Sequence, residues 1–335
     1  MRIHSKSPCR VDMAGGTLDI WPICLYHDNA VTVNFAVTAH TTCTITTRND
    51  RKIVCRSTDL NREERFDSID DLVKVGKYSL GIHGWLLRYF RPQTGLEMVT
   101  HSEAPAGAGI SGSSSLMITA GAALDRLCAT RLKLEKLRET VQNIESQVIR
   151  VPTGPQDYYP PMYGGVGGIE LSPGGIRHFY LPVDLAAFNS RFVLAYTGEP
   201  RNSGINNWEV MKAHINGDRK VHRNFDQIAA IANGMRAAVA KEDYTEAGRL
   251  LRAEWEHRRK NIPTISTDLI DRLVKVTRRI GAIGAKVCGA GGGGCVFFLV
   301  EPGAKARVAA AVEKEGARVL PVEVAPKGVT VKVER

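Results

Sequence analysis

The chain has 335 residues, 43% of them apolar and 24% charged, the balance of a folded globular protein and too apolar for a disordered one. Its 45 Lys and Arg against 35 Asp and Glu leave a formal charge of +10, which favours anionic partners without choosing among nucleic acid, membranes and small phosphates. No apolar run approaches the roughly 18 residues of a membrane span, and the first residues lack the apolar core of a signal peptide.

The seven cysteines are scattered with no CxxC, and the nine histidines form no HExxH or paired spacing. Neither a disulfide framework nor a zinc site is expected, and the default is a reduced, cytoplasmic protein.

In chain order, residues 3–11 and 29–57 predict strands, the second block being rich in alternating β-branched residues. Residues 59–64 are polar, 68–90 carry a helical period, and 95–102 read as a strand. A glycine loop then opens a small-residue helix, and LKLEKLRETVQNIESQV forms a second helix closed off by Pro152. Residues 153–168 are a Gly/Pro/Tyr-rich loop, followed by short strands up to 196. Helices are expected at 206–216, 220–241, 243–260, 265–280 and 303–315, with strands at 285–288, 294–300 and 328–333. This order is α+β, with mixed or antiparallel sheets packed by helices, and not a regular βαβ alternation. A boundary near 175–205 separates an amino-terminal unit, 1–180, from a carboxy-terminal one, 181–335.

Fourteen of the 32 glycines fall in four clusters, Gly15–Gly16, Gly107–Gly112, Gly164–Gly168 and Gly289–Gly294, which suggests backbone held close to a ligand or another loop. GAGISGSSS (Gly107–Ser115) opens a helix, where unpaired N–H groups and the helix dipole favour a phosphate. Ser113 stands where a P-loop NTPase has its lysine, so that class is disfavoured. GAGGGG (Gly289–Gly294) satisfies GxGxxG, but the apolar β-type run CVFFLV follows it instead of a helix, and the dinucleotide fingerprint fails. Taken singly, Asp157 in its turn, Glu145 on its helix and the pair Arg10 and Asp19 could all be structural.

Taken together, the clusters resemble the galactokinase, homoserine kinase, mevalonate kinase and phosphomevalonate kinase (GHMP) superfamily over Ser7 to about Val300. The motifs are SPCRVDMAGGTLDIWP (Ser7–Pro22), PAGAGISGSSS (Pro105–Ser115), GPQDYYPPMYGG (Gly154–Gly165) and KVCGAGGGGCVFF (Lys286–Phe298). The glycine-glycine form of the first motif, with GPQDYY, looks more like heptose 7-phosphate kinases and L-fucokinases than galactokinase or mevalonate kinase.

The resemblance implies phosphoryl transfer from ATP–Mg²⁺ to a sugar or sugar-phosphate hydroxyl in a cleft between two domains, the second of them ferredoxin-like. Pro105, Gly107, Ala108, Gly109, Ile110, Ser111, Gly112, Ser113 and Ser114 would wrap the ATP phosphates. Ser113 or Ser114 would join Glu145 on Mg²⁺. Asp157 would take or orient the acceptor proton, and Arg10 would steady Asp157. Asp19, Gly16, Thr17, Gly291 and Gly292 would meet the acceptor. Arg201, Lys212, Arg219 and Lys220 could hold a substrate phosphate or simply form a solvated helix face. The alternatives are a kinase of the same fold acting on a mevalonate- or homoserine-like alcohol, and a non-catalytic binding protein. Nucleic-acid and membrane partners are not expected.

Overall fold

The two longest strands organise the molecule. In the computed structural model, which describes residues 1–199 and 203–334, β1 (Arg2–Ala14) and β2 (Val31–Arg48) pair antiparallel from Arg2↔Thr46 to Ala14↔Val33. Val31–Val37 is buried on both faces, whereas Thr38–Thr46 alternates buried and half-buried positions as a one-sided strand does. β3 (Ile53–Ser57) and β4 (Arg62–Phe66) form a hairpin at the sheet edge. The charged run REER is thus a strand, because an edge strand holds its polar side chains in water.

α1 (Ile69–Lys74) and α2 (Gly81–Phe90) occupy the expected helical stretch as two pieces. β5 (Gly95–Ser102) lies between β2 and β3, and α3 (Gly112–Cys128) and α4 (Leu134–Ile149) then pack as a pair on the sheet. α5 (Tyr159–Tyr163) is a short helix inside the expected loop, its prolines at the first turn where they cost no hydrogen bond. The hairpin of β6 (Val166–Ser172) and β7 (Gly175–Tyr180) joins the sheet through β2.

After α6 (Leu185–Asn189) the chain builds a second sheet. Its strands are β8 (Phe192–Tyr196), β9 (Ala282–Val287), β10 (Cys295–Val300) and β11 (Arg318–Val319), all antiparallel in the order β11-β8-β10-β9. Around it lie α7 (Ser203–Ile215), α8 (Arg219–Ala240), α9 (Tyr244–Asn261), α10 (Asp268–Arg278) and α11 (Lys305–Lys314). β12 (Thr330–Glu334) returns to the first sheet beside β1, so the main path of that sheet reads β12-β1-β2-β5-β3-β4. The architecture is mixed α+β, as expected. One core reaches both sheets: the Phe35 ring of β2 meets Phe188 and Phe297, 5.1 and 5.6 Å away between centroids.

Candidate active site

A cavity of about 360 Å³ opens where β1, the β5–α3 loop, the α4–α5 connection, α9 and the β9–β10 turn converge. Its upper wall is the loop Pro105–Ser111. Gly107, Gly109 and Ser111 all have left-handed backbone, with φ of 70°, 79° and 59°, which coils the loop around its own carbonyls. Ile110 is fully buried in the shared core and anchors the loop from behind without lining the cavity. Distant parts of the protein hold the loop by its carbonyls: Ala108 accepts from Cys295 N–H at 2.7 Å, Ile110 from Arg10 N–H at 3.0 Å, and Gly109 from Arg10 Nη1 at 2.7 Å.

α3 begins at Gly112, and Ser111 at its N-cap makes no side-chain cap. The first-turn N–H groups therefore face the cavity as donors for an anion. The three consecutive serines divide their work. Ser115 turns inward, bonding Thr41 Oγ1 at 2.8 Å and the Pro8 carbonyl at 2.9 Å, and so fixes the helix start to β1 and β2. Ser113 and Ser114 line the cavity with Glu145, and their hydroxyls favour its charged form. That carboxylate is 2% exposed, and burial raises its pKa despite those hydroxyls and the Tyr158 OH, which donates to it at 2.5 Å. This set of hard oxygen donors beside an anion-binding helix start suits a small divalent cation of the Mg²⁺ type.

The opposite wall carries the acids. Arg10 Nε and Nη2 both donate to Asp157 Oδ1, at 2.9 and 2.6 Å. Burial alone would lower the arginine's pKa, but the charges of Asp157 and Asp12 outweigh it, and the guanidinium is firmly charged. Asp157 keeps 28% of its side chain exposed, toward the cavity it lines. Asp19 is buried and accepts from Gln156 N at 3.0 Å and Gln156 Nε2 at 3.2 Å. A methyl at Gly154 would lie 1.9 Å from Asp19 Oδ2, so only glycine there lets the carboxylate into the site. Burial, and then the neighbouring charge of Asp157, push the Asp19 pKa up to about 7.

Beneath the acids lies a buried charge network that the sequence did not announce. Lys286 Nζ bonds Asp12 Oδ2 at 2.6 Å and Glu254 Oε1 at 2.9 Å, and all three residues are fully buried. Gly15 N donates to Glu254, Gly289 N donates to Asp12, and Arg258 Nη2 donates to the Gly289 carbonyl. Burial would raise the Asp12 pKa, but Lys286, Arg10 and Arg258 together hold it far below the usual carboxylate range. The network pins the Gly15 bend and the Gly289 turn to α9. Glu254 and Arg258, four apart on a helix, read from sequence as an ordinary surface pair. Arg10 and Asp12, two apart on one strand, carried the only hint of it.

Arg10, Gly16, Thr17, Asp19, Pro105, Gly107, Ala108, Gly109, Ser111, Gly112, Ser113, Ser114, Glu145 and Asp157 thus line one cavity. Gly291 and Gly292 do not: Gly292 N donates to the Ile265 carbonyl, and a methyl at Gly291 would strike Ile265, while Gly289 and Ala290 line the site instead. Gly294 packs on the Pro105–Ser111 loop, where an added methyl would sit 2.8 Å from the Ala108 carbonyl. Lys212, Arg219 and Lys220 are exposed and do not line the cavity, and Arg201 lies outside the described residues. Arg258 supplies a guanidinium to the lining.

Residues 78–165 match the family profile of the GHMP kinases N terminal domain, and residues 235–318 that of the GHMP kinases C terminal. The chain belongs to the GHMP kinases. As a GHMP kinase it is an ATP-dependent kinase. It is 26% identical to D-glycero-alpha-D-manno-heptose 7-phosphate kinase of Campylobacter jejuni, over 93% of this chain and 94% of that one. It is also 26% identical to L-fucokinase/L-fucose-1-P guanylyltransferase of Bacteroides fragilis, over 91% of this chain but only 35% of that protein. The fold matches Lactococcus lactis galactokinase complexed with galactose at a TM-score of 0.81 and 21% identity, covering 98% of this chain and 95% of that one. Among the described residues of this GHMP kinase, no helix is long and apolar enough to cross a membrane.

Proposed function

We propose that this GHMP kinase transfers the γ-phosphoryl group of ATP to a hydroxyl of a sugar or sugar phosphate in the cytoplasm, with Asp157 accepting or orienting the hydroxyl proton. The observation that carries the reading is the Arg10–Asp157 pair, set in one cavity with the phosphate loop and a second buried acid, Asp19. Phosphoryl transfer asks mainly for positioning and charge neutralisation, with one group aligning the nucleophile.

In this reading the loop from Pro105 to Ser114 cradles the ATP phosphates on its N–H groups. Glu145 with Ser113 or Ser114 would hold Mg²⁺, which when bound neutralises phosphate charge. Arg10 keeps the Asp157 carboxylate aimed through two hydrogen bonds. Asp19, backed by Gln156, is placed to bond adjacent hydroxyls of a polyol, an acceptor class that the names of the heptose phosphate kinase, the fucokinase and the galactokinase share. We read residues 1–180, with β12 returned to them, as the ATP-binding unit and the remainder as a second domain that closes the site with Arg258 and the Gly289 turn.

The test is ADP release with ATP and Mg²⁺ over free hexoses and heptoses, their phosphates, mevalonate and homoserine, with the product located by NMR. Release with a sugar or sugar phosphate, lost in Asp157→Asn while ATP binding persists, is the expected result. Release with mevalonate or homoserine alone would overturn the acceptor class. Near-normal turnover in Asp157→Asn would overturn the role given to Asp157.

A further inference from the structure

On the other side of the Thr17–Asp19 segment, three histidines distant in sequence come together. His27, at the end of the 3-10 turn Ile23–Tyr26, meets His214 of α7 and His222 of α8. One ring nitrogen from each lies within 4.8 Å of one from each of the others. His27 is 5% exposed and His214 1%, and the cluster is roofed by Tyr26, whose ring meets His214 edge-on at 5.3 Å, and floored by Phe225. Sequence spacing gave no zinc pattern, because the first ligand comes from a loop and the other two flank the α7–α8 turn.

The hydrogen bonds around the three rings follow the pattern of metal ligands and their supports. A ligating imidazole commonly donates its far N–H to a carboxylate or a backbone carbonyl, which fixes the tautomer and offers the other nitrogen as a lone pair. His27 Nδ1 lies 2.7 Å from Asp226 Oδ1, and His222 Nε2 donates to the His214 carbonyl at 2.9 Å. Each ring is thereby left with one lone-pair nitrogen. His27 Nε2 faces His214 Nε2 at 2.8 Å, and His214 Nδ1 is buried with no hydrogen-bond partner among the described residues.

A shared proton accounts for the His27–His214 contact alone. It does not account for the third imidazole, stacked on His214 with centroids 3.9 Å apart. Two nitrogens bound to one tetrahedral Zn²⁺ at about 2.0–2.1 Å sit about 3.3 Å apart, so the pair need open by only roughly 0.5 Å. Asp226 is 59% exposed and lines a surface hollow with Tyr26 and Asn233, which gives an ion a route in.

We infer that His27, His214 and His222 form a binding site for a divalent transition metal of the zinc class, with Asp226 orienting His27 and a water or Asp226 itself completing the shell. Three histidines from a loop and two helices are a donor set for Zn²⁺ and not for Mg²⁺, which takes oxygen ligands. The site is separate from the Glu145 carboxylate, and the inference stands whether or not the acceptor is a sugar. Its effect is to tie the segment that carries Asp19 to α7 and α8.

The test uses the full chain, stripped with a chelator and titrated with Zn²⁺ and then with Co²⁺. Expected is one equivalent of Zn²⁺ bound, a rise in Tm that the chelator reverses, and a Co²⁺ spectrum of a four-coordinate nitrogen and oxygen site without a thiolate band. His222→Gln, the least buried ligand and so the mildest change, should abolish uptake. Asp226→Asn should weaken it about 10- to 100-fold through loss of the supporting carboxylate. Absence of saturable uptake, a thiolate band, or uptake unchanged in both folded variants would overturn the site. If His222→Gln fails to fold, the Asp226→Asn titration and the Co²⁺ spectrum decide the matter.

Discussion

Arg10 is placed to do with one side chain what several residues do elsewhere. It holds Asp157 through two nitrogens, caps the Gly109 carbonyl of the Pro105–Ser111 loop, and leans on Asp12. Lysine cannot reproduce that planar grip, since its ammonium is a point charge on a flexible stem. Arg10→Lys should therefore lower kcat about 100-fold, the effect of letting a reacting group drift by an ångström, with little change in KM for ATP. Steady-state kinetics at saturating acceptor measure this, and an unchanged kcat would show that Asp157 is aimed by something else.

Asp19 makes a prediction of the opposite kind. Its pKa, about 7 in the folded chain, lies above the unfolded value, so folding favours the protonated acid. That contribution is complete below the unfolded pKa near 3.9 and is lost as pH rises through 7. Asp19→Asn mimics the neutral acid, and its amide can pair with Gln156 Oε1, which has no partner among the described residues. The variant should melt above the wild type at about pH 8, with the gap closing toward about pH 5. A gap that does not move with pH would mean that Asp19 is not titrating in this range.

At the scale of elements, the cavity depends on α9 and β9 reaching β1 through Lys286, Asp12 and Glu254. Removing the lysine leaves two buried carboxylates, with Arg258 and Arg10 as the remaining cations near Asp12. Lys286→Met should cost about 3–5 kcal/mol in urea unfolding, since breaking a buried pair strands its partner. Adding Glu254→Gln should restore part of the loss, because the two changes share one network and are not additive. A single variant as stable as the wild type would show that water or the arginines already satisfy the acids.

The elements themselves were largely legible, because apolar periodicity and glycine punctuation are local signals. α3, α4, α8, α9 and β10 lie close to where the pattern puts them. β4 escaped because its residues are charged, and charge on an edge strand follows solvent exposure and carries no strand signature. α5 escaped because Pro160 and Pro161 read as loop, although proline is at home in a first helical turn.

For the molecule as a whole, the same division between local and distant signals sorts the site. Asp157, Arg10, Asp19 and the Pro105–Ser114 loop, which line one cavity, stood out because they sit in ordered motifs, each short enough to read. Asp12 and Lys286 sit in such motifs too and Glu254 does not, but nothing in a stretch of sequence pairs a carboxylate with a lysine 274 residues away. The three histidines were hidden for the same reason, with His27 and His214 separated by 187 positions.

That separation also sets an order of events during synthesis. Asp12 leaves the ribosome 274 residues ahead of its lysine, which at ordinary translation rates of about 5–20 residues per second is roughly 14 to 55 s. Throughout that interval Asp12 has Arg10 beside it but lacks the lysine that bonds it directly, so β1 and β2 should keep that end wet or stay loosely closed. Stalled nascent chains ending before Lys286 should accordingly be cut by protease near the Gly15 bend, and chains a few tens of residues beyond the tunnel exit past it should resist. The kinase site would then close only after Lys286 has left the tunnel, long after the strand that carries Arg10 and Asp12.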